Sequence, residues 1–258
     1  MLRIAGKTDV GKKRAGNPSK DTMKRLRVLE DSNDGFFVAK LSSDAAYAVV
    51  CDGMGGENGG HVASSCAVEQ IRKMVEDGYR EDFNENSVKN MMLSAISAAN
   101  AQVFAIAEKN DSLKGMGTTV ILAVVRGSII HIAYAGDSRV YLIDENGVRQ
   151  LTRDHSMVQM MVDRGEISAE EAQYHPEKHY ITRALGVGGM LDVDYLEEEM
   201  PKKGAVLLCS DGLSNYLDQE DLYRLIWNND APSAVDQLIG QANAMGGADN
   251  ITAVLIAR

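Results

Sequence analysis

Cysteine, aromatic side chains, basic clusters and long apolar runs are all scarce in this chain, and each shortage closes off a class of protein. The three cysteines, Cys51, Cys66 and Cys209, are an odd number set inside apolar stretches. That excludes a secreted disulfide framework and makes a reducing cytoplasm the expected compartment. Aromatics are 5% of the residues against 13 methionines, so the core packs on aliphatic side chains with Met as filler. No apolar run approaches the roughly 18 residues of a membrane span. The N-terminal MLRIAGKTDVGKKR also lacks the apolar centre of a signal peptide. The formal net charge is −10, with acidic residues spread along the whole chain. A nucleic-acid ligand calls for a concentrated basic face, so nucleic acid and membrane are both excluded as partners. The one basic stretch, Lys20 to Arg27 (KDTMKRLR), reads as a solvated loop.

What is present is enough apolar material, 45% of 258 residues, to bury one sizeable core without staples, so residues 1–258 are expected to form a single domain. Val88, Met91, Met92, Ile96, Ala99, Val103 and Ile106 recur at helical spacing and predict a helix from Ser87 to about Lys109. Ala67, Ile71, Met74 and Val75 mark another helix upstream. Thr118 to Val125 and Ser128 to Ala135 are β-rich runs around a tight turn at Arg126 and Gly127. Arg139 to Ile143 leads through Glu145-Asn146-Gly147 into a further strand. Ala205 to Ser210 and Ile251 to Ala257 read as strands, and Gln219 to Asn228 and Ser233 to Ala244 as helices. Residues 154–188 are polar, carry a capping box at Ser168 to Glu171, and read as a small helical insertion over the surface.

Asp52, Asp137, Asp211 and Asp249 each sit where an apolar run meets a small, glycine-bearing turn: AAYAVVC before Asp52, SIIHIAYAG before Asp137, AVLLCS before Asp211, NITAVLIA after Asp249. A buried strand that ends in a carboxylate needs a partner for that charge, and several converging carboxylates suit a hard divalent cation. Asp52-Gly-Met-Gly-Gly56 taken alone is an ordinary Asp-Gly turn. It is followed, in order, by Gly115-Met-Gly-Thr-Thr119, Gly136-Asp-Ser-Arg139, Ser210-Asp-Gly212 and Gly247-Ala-Asp-Asn-Ile-Thr252.

That series resembles the metal-dependent protein phosphatases of the PPM family, also called type 2C, in their bacterial serine/threonine branch. The resemblance runs over nearly the whole chain, from Thr8-Asp-Val-Gly-Lys-Lys-Arg14 through Leu151-Thr-Arg-Asp-His-Ser156 and Ile181-Thr-Arg-Ala-Leu-Gly186 to Gly247-Ala-Asp-Asn250. It implies an α+β fold: a central β-sandwich of two mostly antiparallel sheets flanked by pairs of helices, four layers αββα, with residues 154–188 as a flap. It further implies two Mn²⁺ or Mg²⁺ ions, with Asp52 bridging both, the Gly53 carbonyl on one, and Asp211 and Asp249 on the other. A hydroxide held between ions about 3.5 to 4 Å apart would attack phosphorus in line, without a covalent intermediate. In bacterial relatives the Gly-Asp-Ser-Arg aspartate helps bind a third metal, here Asp137 with Asp211; a turn aspartate bonded to the backbone near Ser138 accounts for Asp137 equally well. The resemblance makes Arg14 the phosphate-binding guanidinium, since a planar fork can hold two phosphate oxygens.

The chain departs from the family after Asn17. Relatives carry an acidic or amide residue and then aspartate there, whereas this sequence reads Asn17-Pro-Ser-Lys-Asp21 and offers Glu30-Asp-Ser-Asn-Asp34 later. Residues 18–33 therefore read as an insertion. Asp34 is the favoured water-mediated ligand of the second metal, Asp31 the fallback, and Asp21 the poorest fit. Cys66 to Arg72 has the spacing of a cysteine-phosphatase loop but no glycines, and it lies on a helical stripe. His175 and His179 read as a surface pair. Met54 stands where some relatives place a histidine acid, so the leaving-group proton must come from elsewhere. The expected activity is dephosphorylation of phosphoserine and phosphothreonine in proteins, by a monomer opposing a eukaryotic-like serine/threonine kinase. The disrupted first motif keeps a phosphoprotein-binding pseudophosphatase as the alternative, and a hydrolase of small phosphorylated molecules fits the same scaffold.

Overall fold

The computed structural model describes residues 1–14 and 32–258; residues 15–31 and the side chains of residues 13–14 and 56–58 lie outside the described set. The chain opens with strand β1 (Arg3–Asp9) and one turn of helix, α1 (Gly11–Arg14). Strands β2 (Asp34–Lys40) and β3 (Ala45–Met54) lead into two long helices, α2 (Gly56–Gly78) and α3 (Glu85–Lys109). Then follow β4 (Gly117–Thr118), β5 (Val120–Arg126), β6 (Ile129–Ala135), β7 (Arg139–Asp144) and β8 (Gly147–Gln150). Short helices α4 (Met157–Asp163) and α5 (Ala169–Tyr174) precede β9 (Asp194–Glu199) and β10 (Ala205–Cys209). The last elements are α6 (Asp211–Ser214), α7 (Gln219–Ile226), α8 (Ala231–Ala244) and β11 (Ile251–Ala257).

Two sheets result, in strand orders β1-β11-β10-β7-β8 and β2-β3-β5-β6-β9, with β4 attached to β3. Every neighbouring pair is antiparallel. Side chains alternate across a strand, and the central strands use both faces. On β5, Ile121, Ala123 and Val125 point between the sheets, while Val120, Leu122 and Val124 pack under α2 and α3. On β11, Val254 and Ile256 face inward, and Ile251, Ala253 and Leu255 pack under α7 and α8. Three apolar layers between four structural layers make the αββα sandwich that the family resemblance implies.

The same alternation places the site. Inward-facing apolar positions run Val50, Ala48 and Ala46 on β3, Phe36 on β2, Leu208 and Val206 on β10, and Val254 and Ile256 on β11. The next position in step on each strand is Asp52, Asp34, Ser210 and Thr252. One end of the sandwich interior therefore turns polar on all four strands together.

Three local readings shift. The long helix begins at Glu85, because the Asn84 side chain accepts the Ser87 N–H and caps it. The β5–β6 turn is Gly127-Ser128, since Arg126 still pairs with Ile129 and Gly127 takes a φ of +53°. Strand β9 escapes an apolar-run criterion because it is a charged edge, carrying Asp194, Glu197, Glu198 and Glu199 and pairing with β6 alone. No uninterrupted apolar run reaches membrane length, yet α3 does by length and mean hydropathy. In the fold Val88, Met92, Ile96 and Val103 of that helix are buried against the sheet. Between residues 154 and 188 stand α4 and α5, and the Ser168–Glu171 capping box is formed.

Candidate metal centre

Asp34 lies at the base of the polar end, with no exposed surface. Its Oδ2 accepts hydrogen bonds from Ser210 Oγ at 2.7 Å and Thr252 Oγ1 at 2.7 Å. The single Thr252 hydroxyl proton is committed to that carboxylate, so the 2.8 Å contact with Thr8 Oγ1 runs from Thr8 to Thr252. Asp34 Oδ1, also buried, has no donor among the described residues. Asp52 stands directly opposite Asp34 across β2 and β3. Its backbone is held on both sides: the N–H donates to Thr119 Oγ1 at 2.9 Å, and the carbonyl accepts from Thr119 N at 2.8 Å and Thr118 Oγ1 at 2.9 Å.

Gly53 follows where no side chain fits. Its N–H donates to the Asn33 carbonyl at 3.0 Å, and a Cβ there would stand 2.7 Å from Asn33 O and closer still to the Gly60 carbonyl of α2. The cramped packing is backbone against backbone. Asp211 opens α6, where a carboxylate is favoured by the helix N-terminus. Its Oδ2 accepts from Asn215 Nδ2 at 3.1 Å, while the buried Oδ1 has no donor among the described residues. Asp249 lies just before β11, accepting the Asn250 N–H at 2.9 Å. Asn250 draws this end together, since its Oδ1 accepts from Asn33 N at 2.9 Å and its Nδ2 donates to Val10 O at 3.2 Å. Asp137 follows Gly136, whose φ of +119° turns the chain after β6.

The five carboxylates feel one another. Burial first, then the charges of Asp211 and Asp249, push Asp34 up to about 7 against its hydroxyl partners. Burial first, then Asp34, Asp211, Asp137 and Asp249, hold Asp52 well above the ordinary carboxylate range. Asp137 is raised to about 7 by burial, Asp211 and Asp154. Burial and Asp249 raise Asp211, opposed by hydrogen bonding to Asp52, by nearby His179 and by Asn215. A bond between Asp52 and Asp211 requires a proton on one of them; with both ionised, Asp211 Oδ1 stays unpaired. Among the described residues no three His, Cys, Asp or Glu side chains form a finished ligand set. A magnesium-like ion keeps several waters and needs only one or two carboxylates, so unpaired oxygens on neighbouring aspartates fit such ions. An all-oxygen set disfavours zinc.

The sequence-predicted Asp34, Asp52, Gly53, Asp137, Asp211 and Asp249 thus converge. The Arg14 side chain, Asp21 and Asp31 lie outside the described residues, as do residues 18–31 of the expected insertion. The supporting hydroxyls of Thr119, Ser210 and Thr252 and the amide of Asn250 escape sequence reading, although the last three lie in the aspartate motifs and Thr119 in the Gly115–Thr119 motif between them. His179, on the surface as expected, is also near enough to Asp211 to act on its charge. Cys66 is no nucleophile: Arg72 is engaged by Glu69 at 2.6 Å and Glu76 at 2.7 Å, and burial raises the thiol.

A stability prediction follows from this crowding. Asp34 titrates near 7 when folded against an ordinary 3.8, so its contribution is complete below the lower value and is lost as pH rises through the upper one. Metal-free protein is therefore expected to lose roughly 5 °C or more in melting temperature from pH 5 to pH 8, with Mn²⁺ restoring more at pH 8. Asp34→Asn should flatten that slope. A metal-free melting temperature that climbs over the same window would contradict the crowding.

Comparison with known proteins shows the family. The sequence profile of the family described as Protein phosphatase 2C matches residues 26–252. A serine/threonine phosphatase of Listeria welshimeri, Stp, is 37% identical over 238 residues, covering 91% of this chain and 92% of that one. The crystal structure of the serine/threonine phosphatase Stp1 from Staphylococcus aureus superposes with a TM-score of 0.88 at 30% identity, covering 100% of this chain and 95% of that one. The catalytic domain of the phosphatase PstP, solved in complex with two manganese ions, gives a TM-score of 0.79 at 27% identity, over 99% of this chain and 97% of that one. The chain belongs to the metal-dependent protein phosphatase 2C, or PPM, family. Within it, this is a protein phosphatase of the bacterial serine/threonine type.

Proposed function

We propose that the protein hydrolyses phosphoserine and phosphothreonine esters of proteins at a centre of two divalent cations, Mn²⁺ or Mg²⁺, without a covalent intermediate. The observation that carries this reading is the pair of buried oxygens, Asp34 Oδ1 and Asp211 Oδ1, that find no donor among the described residues inside one acidic cluster. Such oxygens are costly unless a cation meets them. Asp52 would hold both ions, the Gly53 carbonyl one, Asp211 and Asp249 the other. Asp34 would support the second ion through water, and Asp137 with Asp211 a third. When bound, the ions would polarise phosphoryl oxygens and bring the pKa of water towards 7. The chain's own part is positional: Ser210 and Thr252 fix Asp34, Thr118 and Thr119 fix Asp52, and Arg14 would orient the phosphate.

On this reading residues 1–258 form one catalytic unit with residues 18–33 inserted, and residues 154–188 form a flap beside the cleft. The nearness of flap residue His179 to Asp211 supports that placement. The buried free thiols Cys51 and Cys209 suit a reducing cytoplasm. A monomer opposing a eukaryotic-like serine/threonine kinase completes the proposal, on the family resemblance.

The test is phosphate release from a phosphothreonine peptide. Turnover is expected with Mn²⁺ and should fall to background with excess chelator, returning when Mn²⁺ is restored. Turnover that survives chelation would refute the metal centre, and a protein that binds the peptide without releasing phosphate would refute hydrolysis.

A further inference from the structure

The Gly115-Met-Gly-Thr-Thr119 motif contributes no carboxylate, yet its last residue touches two of the turns that do. Thr119 is 2% exposed and lies between β4 and β5. On one side its N–H donates to Asp52 O at 2.8 Å, and its hydroxyl oxygen accepts the Asp52 N–H at 2.9 Å. At that point the Asp52 N–H finds a side-chain acceptor in place of a ladder carbonyl. On the other side the same hydroxyl lies 2.8 Å from Ser138 Oγ, which is also 2% exposed. The Thr119 methyl fills the space over Gly136, where an added Cβ would come within 2.6 Å of it. One small side chain is therefore wedged between the Asp52 turn and the Gly136-Asp137-Ser138 turn.

We propose that Thr119 is a positioning residue that sets the spacing and aim of Asp52 relative to Asp137, and through them the affinity of the centre for its cations. This rests on the metal-centre reading above. The methyl packs over Gly136, and the hydroxyl carries the positioning role, tying the turns together by accepting from one and bonding the other. Thr118, the residue before it, also donates its hydroxyl to the Asp52 carbonyl at 2.9 Å, while its backbone exchanges hydrogen bonds with Leu185 at 2.9 and 2.8 Å rather than with the Gly136-Asp137-Ser138 turn. Thr118 thus steadies the Asp52 carbonyl, whereas the tie from Asp52 to Ser138 runs through the Thr119 hydroxyl.

The experiment is Mn²⁺ titration of the metal-stripped protein, residues 1–258, followed by electron paramagnetic resonance, with melting temperature and kcat and KM measured alongside. Thr119→Val keeps the shape and removes the hydroxyl; it should weaken binding of at least one ion by about tenfold or more, the usual scale for a support behind a ligand. Thr119→Ser restores the hydroxyl and should bind within about threefold of wild type. Ser138→Ala cuts only the tie to the Asp137 turn and should weaken the most loosely held ion, which decides the question if Thr119→Val does not fold. KM for the peptide should move less than kcat in each variant. Wild-type Mn²⁺ affinity in both Thr119→Val and Ser138→Ala, whatever their melting temperatures, overturns the positioning role alone. A wild-type protein that takes up no Mn²⁺ overturns the metal centre and this inference with it.

Discussion

Asp52→Asn is expected to cut turnover of a phosphothreonine peptide on the order of 10³-fold, about 4 kcal/mol of transition-state stabilisation, while raising the melting temperature of the metal-free protein. The two effects have one cause. Asp52 is held well above the ordinary carboxylate range by burial and by Asp34, Asp211, Asp137 and Asp249. Ionising it near neutral pH therefore costs folding energy that only a cation can offset. Asparagine keeps the size and loses the charge, so like-charge repulsion falls while the ligand common to both proposed ions is weakened. The expected gain without metal is about 1–2 kcal/mol, or roughly 3 to 6 °C. In saturating Mn²⁺ the order should reverse, with wild type melting higher. Initial rates and thermal melts with chelator or Mn²⁺ check both arms. A variant that is less stable without metal would mean that the carboxylates do not repel one another there.

Gly53→Ala is the second large effect, and here the expected loss is of the fold around the site. A methyl at this position meets the Gly60 carbonyl and Asn33 O, the latter at 2.7 Å, and all the obstructing atoms are backbone. No rotamer change relieves the clash; either α2 lifts from β3 or the segment at Asn33 shifts. Overpacking of well-filled interiors costs about 1–3 kcal/mol and more when backbone must move, so a loss of about 3 kcal/mol or more, roughly 10 °C, is expected. Because Gly53 N–H also bonds Asn33 O at 3.0 Å, Mn²⁺ binding should weaken along with stability. A Gly53→Ala protein that melts within about 2 °C of wild type would show that α2 does not press on this turn.

Much of this architecture is legible along the chain. Strands β5, β6, β10 and β11 are unbroken β-rich runs, and the helical stripe of α3 marks its buried face within two residues of the observed start. The exceptions are instructive. Strand β9 pairs with β6 alone among the described strands and contributes only Tyr195 and Leu196 to the apolar layers beside its charged residues, so it lacks apolar length. The hairpin turn lies one residue later than read, because the positive φ falls on Gly127 as the first turn residue. At the site, motif and glycine placement point to the aspartates, but nothing local marks the hydroxyls beneath them. Ser210 and Thr252 read as ordinary strand-end residues, yet they reach Asp34 across 176 and 218 positions of sequence.

The chain by itself determined which residues could be ligands, since a carboxylate at the end of a buried strand is a local fact of composition and period. It also determined the oxygen character of the site and the absence of any cysteine-based alternative. Only the tertiary structure decided that the inward stripes of β2, β3, β10 and β11 end at one level, so that Asp34, Asp52, Ser210 and Thr252 meet. Register between strands and the stacking of two sheets set that level, and both arise from side-chain packing between distant segments. The same stacking removes Asp34 from water and leaves one oxygen each of Asp34 and Asp211 without a donor among the described residues, turning a set of acidic residues into a demand for a cation.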